Sequence, residues 1–163
     1  MHALLLGARD VHGAVRASCL ACLAQVCPTL RYALHPWAAE LLAVVEAELR
    51  RDLISPRRDR TVEAEPDVQA PNPNPNLYPN PNPNPNPNPN PDQAQQAAAH
   101  LLGSLLHELG PSAVSLLSAR QLRSVQAQLE LLRGRARDAL LVAHADAALE
   151  QLRALYVLLV GGA

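Results

Sequence analysis

The sequence lacks phenylalanine and lysine altogether, and aromatic residues make up only 2% of its 163 residues. Leucine and alanine therefore have to build the hydrophobic core. Both are good helix formers and β-branched residues are few, so the composition predicts an all-α protein. The formal net charge of −1 gives no electrostatic attraction to nucleic acid or to an anionic membrane.

Cysteine is also scarce, since the only three are Cys19, Cys22 and Cys27. An odd number crowded into one segment does not suit a disulfide framework and favours a reducing compartment. The apolar residues 4–6 are too few for the core of a signal peptide, and the apolar run 154–163 is too short to span a bilayer. We therefore expect a soluble, cytoplasmic protein with no direct membrane span.

Apolar residues at helical spacing divide the chain into three parts. We predict a HEAT-like helix pair in residues 1–56, a disordered charged and Pro-Asn low-complexity insert in residues 57–91, and C-terminal HEAT-like helices in residues 92–160. The five predicted helices span about residues 11–26, 36–54, 93–109, 112 or 118 to 132, and 135–160.

The first predicted helix carries a stripe that we expect to be buried. It consists of Val11, Val15, Cys19, Cys22 and Val26, and Leu20 and Leu23 widen it. Asp10 is the expected N-cap, and Cys27-Pro28 is expected to end the helix. In the second helix Glu48 is expected on the charged face, together with its other acidic and basic residues.

The insert ends in a tract of alternating proline and asparagine, Pro71 to Pro91, broken once by Leu77-Tyr78. Proline at every second position removes amide donors and forbids regular helix, so the tract is predicted to be disordered. All nine asparagines of the chain lie in it. Two origins stay open: a translated telomere-like repeat, since CCTAAC read repeatedly encodes Pro-Asn, and a low-complexity linker kept for flexibility.

An internal repeat appears when the first and third predicted helices are overlaid with a shift of 82 residues. Residues 19–23 then lie over residues 101–105, and Pro28 lies over Gly110. Subtracting the 35 residues of the insert, 57–91, gives a period of 82 − 35 = 47 residues. That period is at the upper end of the roughly 40–47 residues of HEAT and armadillo units.

Motifs that suggest chemistry are incomplete in this chain. Cys19 and Cys22 form a C-x-x-C, but no strand precedes it and no second pair follows, so we expect buried structural cysteines rather than a redox or metal site. His107-Glu108 begins like a zinc-protease motif, but the second histidine is absent. His100 shares a helix face with His107, and both are expected on the polar surface or at the boundary of the core.

The other polar groups give no convergent set. His144 and Asp146 are two residues apart and do not face each other on a helix. The serines at positions 112, 115 and 118 lack the glycines of a nucleophile elbow. Arg133, Arg135 and Arg137 are expected at a solvated helix junction, partly neutralised by acidic residues at positions 130 and 138. We therefore predict no enzyme, no catalytic residue, no cofactor and no metal site.

Four segments resemble the C-terminal region of transport and Golgi organization protein 6 homologues, a family shared with fungal RNA polymerase II assembly factors. Residues 15–18, Val-Arg-Ala-Ser, look like that family's "V-R-A-S-x-L" helix. Residues 96–102 resemble its "R-R-A-A-x-H" helix, although Gln95-Gln96 replaces the basic pair. Residues 122–132 and 147–152 resemble its last two helices.

The resemblance implies an α-α superhelix without a catalytic site, acting in protein secretion and Golgi organisation through protein contacts. Peripheral association with Golgi membranes and packing against upstream repeats of a longer parent chain are also implied. Two alternatives stay open: an adaptor for RNA polymerase II assembly or nuclear import, and a free-standing helical bundle with a small-molecule pocket. If upstream repeats are needed, we expect an apolar patch at Leu4, Leu5, Leu6, Leu20 and Leu23.

Overall fold

The structure, a computed structural model, describes residues 1–54 and 92–161, except for the side chains of residues 52–54 and 159–161. The predicted insert, residues 57–91 with its Pro-Asn tract, lies outside the described residues. The insert's predicted disorder therefore stays a prediction.

The described residues form helices and contain no strand, which confirms the all-α prediction. The five longer helices, α2, α3, α4, α6 and α7, correspond to the five predicted ones. The bounds are α1 His2–Gly7, α2 Gly13–Leu30, α3 Ala38–Ile54, α4 Asp92–Leu109, α5 Ala113–Leu116, α6 Ala119–Arg135 and α7 Ala139–Gly161, with 3₁₀ segments at Arg31–Trp37 and Gly110–Ser112.

Local side-chain hydrogen bonds decide where several helices begin. Ser118 caps α6: its Oγ accepts from the amide of Gln121 at 3.2 Å, and the Gln121 side chain accepts from the Ser118 amide at 3.1 Å. Asp138 precedes α7 and accepts from the amides of Leu140 and Leu141 at 2.8 and 3.1 Å. Each carboxylate or hydroxyl satisfies amides that have no partner inside the helix.

Two predicted ends of the first helix are wrong. His12, not Asp10, is the N-cap of α2, although the Asp10 carboxylate accepts a 2.8 Å bond from the His12 amide. The helix also continues through Pro28 and ends at Leu30, before Arg31 with a φ of 43°. Proline in the last turn forfeits one helical hydrogen bond, and the packing of Cys27 in the core offsets that loss.

Helix α4 lies at the centre of the packing. It contacts α2 on one side and α7 on the other, and it also packs against α3. Helix α3 contacts α6, and α6 contacts α7, while the short α1 packs against α2. The apolar side chains of these contacts join into one continuous core.

The buried side of α2 differs from the predicted stripe. The residues that pack into the core are Leu20, Leu23, Ala24 and Cys27. Val11 and Val15 are 84% and 41% exposed. The helix is apolar over most of its circumference, so periodicity alone does not decide which side is buried; the contact with α4 does.

The predicted apolar patch is also wrong in most of its members. Leu5, Leu20 and Leu23 are buried, and only Leu6 is well exposed, with Leu4 half-buried. Residues 2–7 fold into α1 and place Leu5 in the core, whereas the sequence suggested too short an apolar segment to pack.

A repeat in the buried positions runs through three helices. Adding 82 to the number of each buried residue of α2 gives the number of a buried residue of α4. Adding a further 43 gives the number of a buried residue of α7. The matched sets are Leu20, Leu102 and Ala145; Leu23, Leu105 and Ala148; Ala24, Leu106 and Leu149; and Cys27, Leu109 and Leu152.

Helices α3 and α6 repeat in the same way at a shift of 80. Their matched buried pairs are Leu42 and Leu122, Val45 and Val125, Glu48 and Gln128, and Leu49 and Leu129. The third of these pairs is polar in both helices. Two successive helix pairs, α2 with α3 and α4 with α6, therefore bury corresponding positions, and α7 begins a third unit.

The expected exposure of Glu48 is wrong, because its side chain is buried against α2. Arg16 donates to both Glu48 carboxylate oxygens, at 2.7 and 3.1 Å, and Arg51 lies 3.0 Å from the same group. Arg16 also donates to the carbonyls of Asp10 and Val11 at 3.0 Å each. The fork of this guanidinium thus ties the start of α2 to the middle of α3.

A second polar contact links α3 to α6. Ser124 donates to the Glu46 carboxylate at 2.6 Å, and Arg50 donates to the Ser124 hydroxyl at 3.0 Å and to Glu46. The buried Gln128 lies beside Ser124, and with its amide turned over, its oxygen accepts from Arg50 Nε at 2.7 Å. The corresponding polar residues Glu48 and Gln128 therefore both make contacts between helices: Glu48 of α3 with Arg16 of α2, and Gln128 of α6 with Arg50 of α3.

One stretch of the described residues, Gly13–Arg51, is long and apolar enough to cross a membrane by length and composition. The core helix of a soluble protein and a signal sequence meet the same criterion. The stretch comprises α2, a 3₁₀ segment and α3, and it packs against α4. The absence of a membrane span stays a prediction.

Candidate functional site

The first candidate site is the outer face of α2, formed by Val15, Cys19, Cys22 and Val26. These residues lie about 120° around the helix from the buried set, at 100° per residue. Val15 and Cys22 are exposed, and Cys19 and Val26 are half-buried. The stripe that the sequence suggested as core is therefore present, but it lies beside the core rather than in it.

Helix α1 covers part of this face. A Cβ placed on Gly7 would lie 2.4 Å from Cys19 Sγ and 3.9 Å from a Val15 methyl group, so the backbone of α1 sits directly against the thiol. A larger residue at position 7 would therefore require the Cys19 side chain to turn away. Because α1 has six residues, it reaches Cys19 and Val15 and leaves Cys22 exposed.

The internal repeat, with shifts of 82 residues from α2 to α4 and 43 from α4 to α7, gives the residues of α4 and α7 that are equivalent to the outer face of α2. The match of Val26 on α4 is Glu108, which lies beside Cys27 and Pro28 of α2. The match of Glu108 on α7 is Gln151, which lines the groove toward α4. In both later units, this position faces the helix of the preceding unit.

The outer face has two further sets of equivalents. Cys19 corresponds to the buried Leu101 of α4 and to His144 of α7. Cys22 corresponds to Ser104 and Ala147, which both line the groove between these helices. On α7, the equivalents of Cys19, Cys22 and Val26 thus line the groove toward the preceding helix α4, whereas Ser104 of α4 lines the same groove toward the following helix α7.

The second candidate site is the groove between α4 and α7, with a volume of about 260 Å³. Small residues form its floor: a Cβ on Gly103 would lie 3.8 Å from Ala148 Cα, so the two helices approach closely. Its lining residues are Pro28, Ala99, His100, Gly103, Ser104, His107, Glu108, His144, Ala147 and Gln151.

Two imidazoles stack at one end of this groove. The ring centroids of His100 and His144 lie 4.6 Å apart, with an angle of 26° between the ring planes. Burial lowers the pKa of His144 below its usual value of 6.5, and the nearby His100 lowers it further. The spacing of residues along α4 pairs His100 with His107, whereas the ring that contacts His100 is that of His144 on α7, 44 positions away.

A cysteine and a carboxylate meet near the other end of the groove. Burial raises the pKa of the Cys27 thiol to about 11, and the Glu108 charge raises it in the same direction. A thiol with so high a pKa is almost entirely protonated at neutral pH and is a poor nucleophile.

The sequence predicts that both cysteines of the C-x-x-C motif are buried, but neither of them is fully buried. Cys22 is exposed and Cys19 is half-buried, while the buried cysteine is Cys27. Two residues three positions apart need not share burial on a helix whose core side is set by residues 20, 23, 24 and 27.

The basic cluster at the end of α6 has partners other than those expected. Arg133 pairs with Asp146 of α7 at 3.3 Å. Asp138 accepts amides at the start of α7 instead of neutralising an arginine. The junction is exposed, as expected, and the Arg133–Asp146 pair bridges the two helices.

Within residues 1–54 and 92–161, no group of three or more histidine, cysteine or acidic side chains is placed to hold a metal ion. His100 and His144 present stacked faces to each other, an arrangement in which the ring nitrogens do not converge on a common point. The predictions of no metal and no cofactor stay predictions.

No protein-family model, no curated protein and no solved structure matches this chain. The function proposed below therefore depends on the geometry of the two candidate sites and on the internal repeat.

Proposed function

We propose that this chain is part of a HEAT-like helical scaffold that binds other proteins through exposed helix faces and has no catalytic role. The observation that carries this proposal is the outer face of α2. On α7 the equivalents of Cys19, Cys22 and Val26 line the groove toward the preceding helix α4, whereas on α2 Cys22 and Val15 are exposed.

The repeat supports the HEAT-like assignment. Buried positions recur after 43 residues between α4 and α7, within the roughly 40–47 residue period of such units. The order of packing, α2 to α4 to α7 with α3 against α6, is that of stacked helix pairs. Each unit of such an array buries its apolar face against its neighbours, so an unpartnered unit face is a binding surface.

The occupant that fits the outer face is a helix with an apolar stripe and little charge. The four residues of the face carry no charge, and the nearest basic group, Arg16, is held by Glu48. Upstream repeats of a parent chain and helices of partner proteins both offer this chemistry. The resemblance to transport and Golgi organization protein 6 homologues favours a role in secretion and Golgi organisation, with a cytoplasmic location and peripheral contact with Golgi membranes.

Site-specific photo-crosslinking tests the proposal. A photoreactive residue replaces Cys22 in the full chain expressed in cells, and the matched control replaces Ala127, which is exposed on α6. We expect protein adducts from position 22 well above those from position 127, and a substitution Val26→Arg in the same chain should abolish them.

The identity of the adducts separates the alternatives. Golgi or secretory proteins favour the leading role, whereas RNA polymerase II subunits or nuclear import factors favour the adaptor role. Equal yields from positions 22 and 127 would contradict the docking face itself.

A second candidate function is the binding of a small molecule in the groove between α4 and α7. The observation in its favour is a concave site with an apolar floor and the polar side chains of His100, His107 and Gln151. Its volume of about 260 Å³ is below the roughly 300–1,000 Å³ of ordinary ligand pockets, so the scaffold role is favoured. A co-purifying small molecule, released on denaturation and lost with Gly103→Leu, would reverse this preference.

A further inference from the structure

The contact between α4 and α7 contains histidine where the preceding unit has a buried leucine. Leu101 of α4 is fully buried, and its match on α7 is His144. Instead of entering an apolar core, the His144 ring stacks on His100 at 4.6 Å across the contact. The contact between α4 and α7 thus holds two imidazoles where the preceding unit has an apolar side chain.

The geometry of the stacked pair disfavours the state in which both rings are protonated. Two neutral imidazoles stack without electrostatic cost, whereas two imidazolium rings at 4.6 Å would repel each other, and the half-buried position of His144 limits how far solvent screens that repulsion on the side away from the exposed His100. Among the described residues, neither ring has a carboxylate as a hydrogen-bond partner that would stabilise the charged forms.

The ionisable groups around the stack do not offset this repulsion. On α4, His107 and Glu108 lie seven and eight residues after His100, about 10–12 Å along the helix. On α7, Asp146 is engaged by Arg133 of α6. On α2, the Cys27 thiol interacts with Glu108.

We propose that the His100–His144 stack makes the contact between α4 and α7 sensitive to pH. Neutral rings hold α7 against α4, and protonation of the pair weakens the contact and opens the groove. Leu141, Ala145 and Ala148 of α7 are buried, and Ala148 packs against Gly103 of α4, so acidification loosens α7 before α2 and α3 unfold.

The sign of the pH effect on stability depends on whether the folded or the unfolded chain binds protons more tightly. Because the pKa of folded His144 lies below 6.5, the unfolded chain takes up the proton first as the pH falls. The free energy of unfolding is therefore unaffected well above pH 6.5. It decreases as the pH falls from 6.5 toward the lowered pKa of the folded state, and no further loss from this group occurs below that value.

The test uses the full chain and compares three proteins: the unmodified chain, His144→Leu, and the control His107→Leu. His107 lines the same groove but is not in the stack. Melting temperatures are measured at pH 7.5 and 5.5. We expect the unmodified chain and His107→Leu to lose melting temperature by the same amount on acidification, and His144→Leu, which restores the residue type of Leu101, to lose clearly less.

A second measurement does not depend on any variant folding. The histidine ring protons of the unmodified chain are followed by NMR between pH 4.5 and 8. One ring should titrate below 6.5, and hydrogen exchange of the α7 amides should accelerate before that of the α2 amides as the pH falls. A titration at or above 6.5 for both rings of the pair, or an equal pH response in His144→Leu, would overturn the proposal.

Discussion

The buried pair of Arg16 and Glu48 allows a stability change to be worked out from the structure. The Glu48 side chain is 4% exposed and receives two bonds from Arg16, whose own side chain is 11% exposed. Glu48→Ala removes the partner and leaves a nearly buried guanidinium. Removing one member of a buried ion pair costs about 3–5 kcal/mol.

Two features set the expected value within that range. Arg16 would keep its bonds to the carbonyls of Asp10 and Val11, which still compensate part of its charge. Arg51 is 45% exposed and can turn into solvent when Glu48 is lost. We therefore expect Glu48→Ala to lower the free energy of unfolding by about 3 kcal/mol, the lower end of the range.

Urea denaturation followed by the helical circular dichroism signal measures this change. The comparison includes Arg16→Met, Glu48→Ala, and the double substitution Arg16→Met with Glu48→Leu. Because the double variant leaves no buried charge, it should lie within about 1 kcal/mol of the unmodified chain. A loss below about 1 kcal/mol for Glu48→Ala, or a double variant less stable than either single one, would refute the reasoning.

Three further predictions concern a cap, a glycine and the thiols. Ser118→Ala removes the hydroxyl that accepts from the Gln121 amide and should cost about 1 kcal/mol in urea denaturation, while Ser118→Asp should restore most of it. Gly134→Ala should stabilise the chain by about 0.5–1 kcal/mol, because nothing lies within 4 Å of the added Cβ; a loss of stability would contradict an open helical position. With a maleimide at pH 7, Cys22 should react quickly and Cys27 only after unfolding, since a pKa of about 11 leaves a thiolate fraction of about 10⁻⁴; mass spectrometry showing equal labelling would contradict the burial.

The helical conformation of α2 could be predicted from the sequence, but the side of the helix that is buried could not. Its composition predicted a helix correctly, and the spacing of Val15, Cys19, Cys22 and Val26 identified a real apolar stripe. The helix carries two such stripes, however, and a one-dimensional pattern does not rank them. Only the position of α4 shows that Leu20 and its neighbours enter the core.

For the charged residues, burial also had a signal in the sequence, whereas the pairing between helices did not. Glu48 lies seven residues after Leu41 and thus falls on the apolar side of α3, a signal that its position was buried. Its partner Arg16 is 32 residues away on another helix, and no local spacing predicts that pairing. The stack of His100 on His144 is equally non-local.

By itself the sequence determined what depends on neighbours along the chain: the all-α class, the extent of five helices to within a few residues, and the overlay of the first and third helices. These features follow from backbone propensity, capping and a period of 3.6 residues, all of which act within a few turns. The tertiary structure decided which apolar side of α2 faces the core, which charges are buried, and which histidines meet across the groove. Those choices depend on contacts between residues 32 or more positions apart, where the packing of one helix on another sets the environment of each side chain.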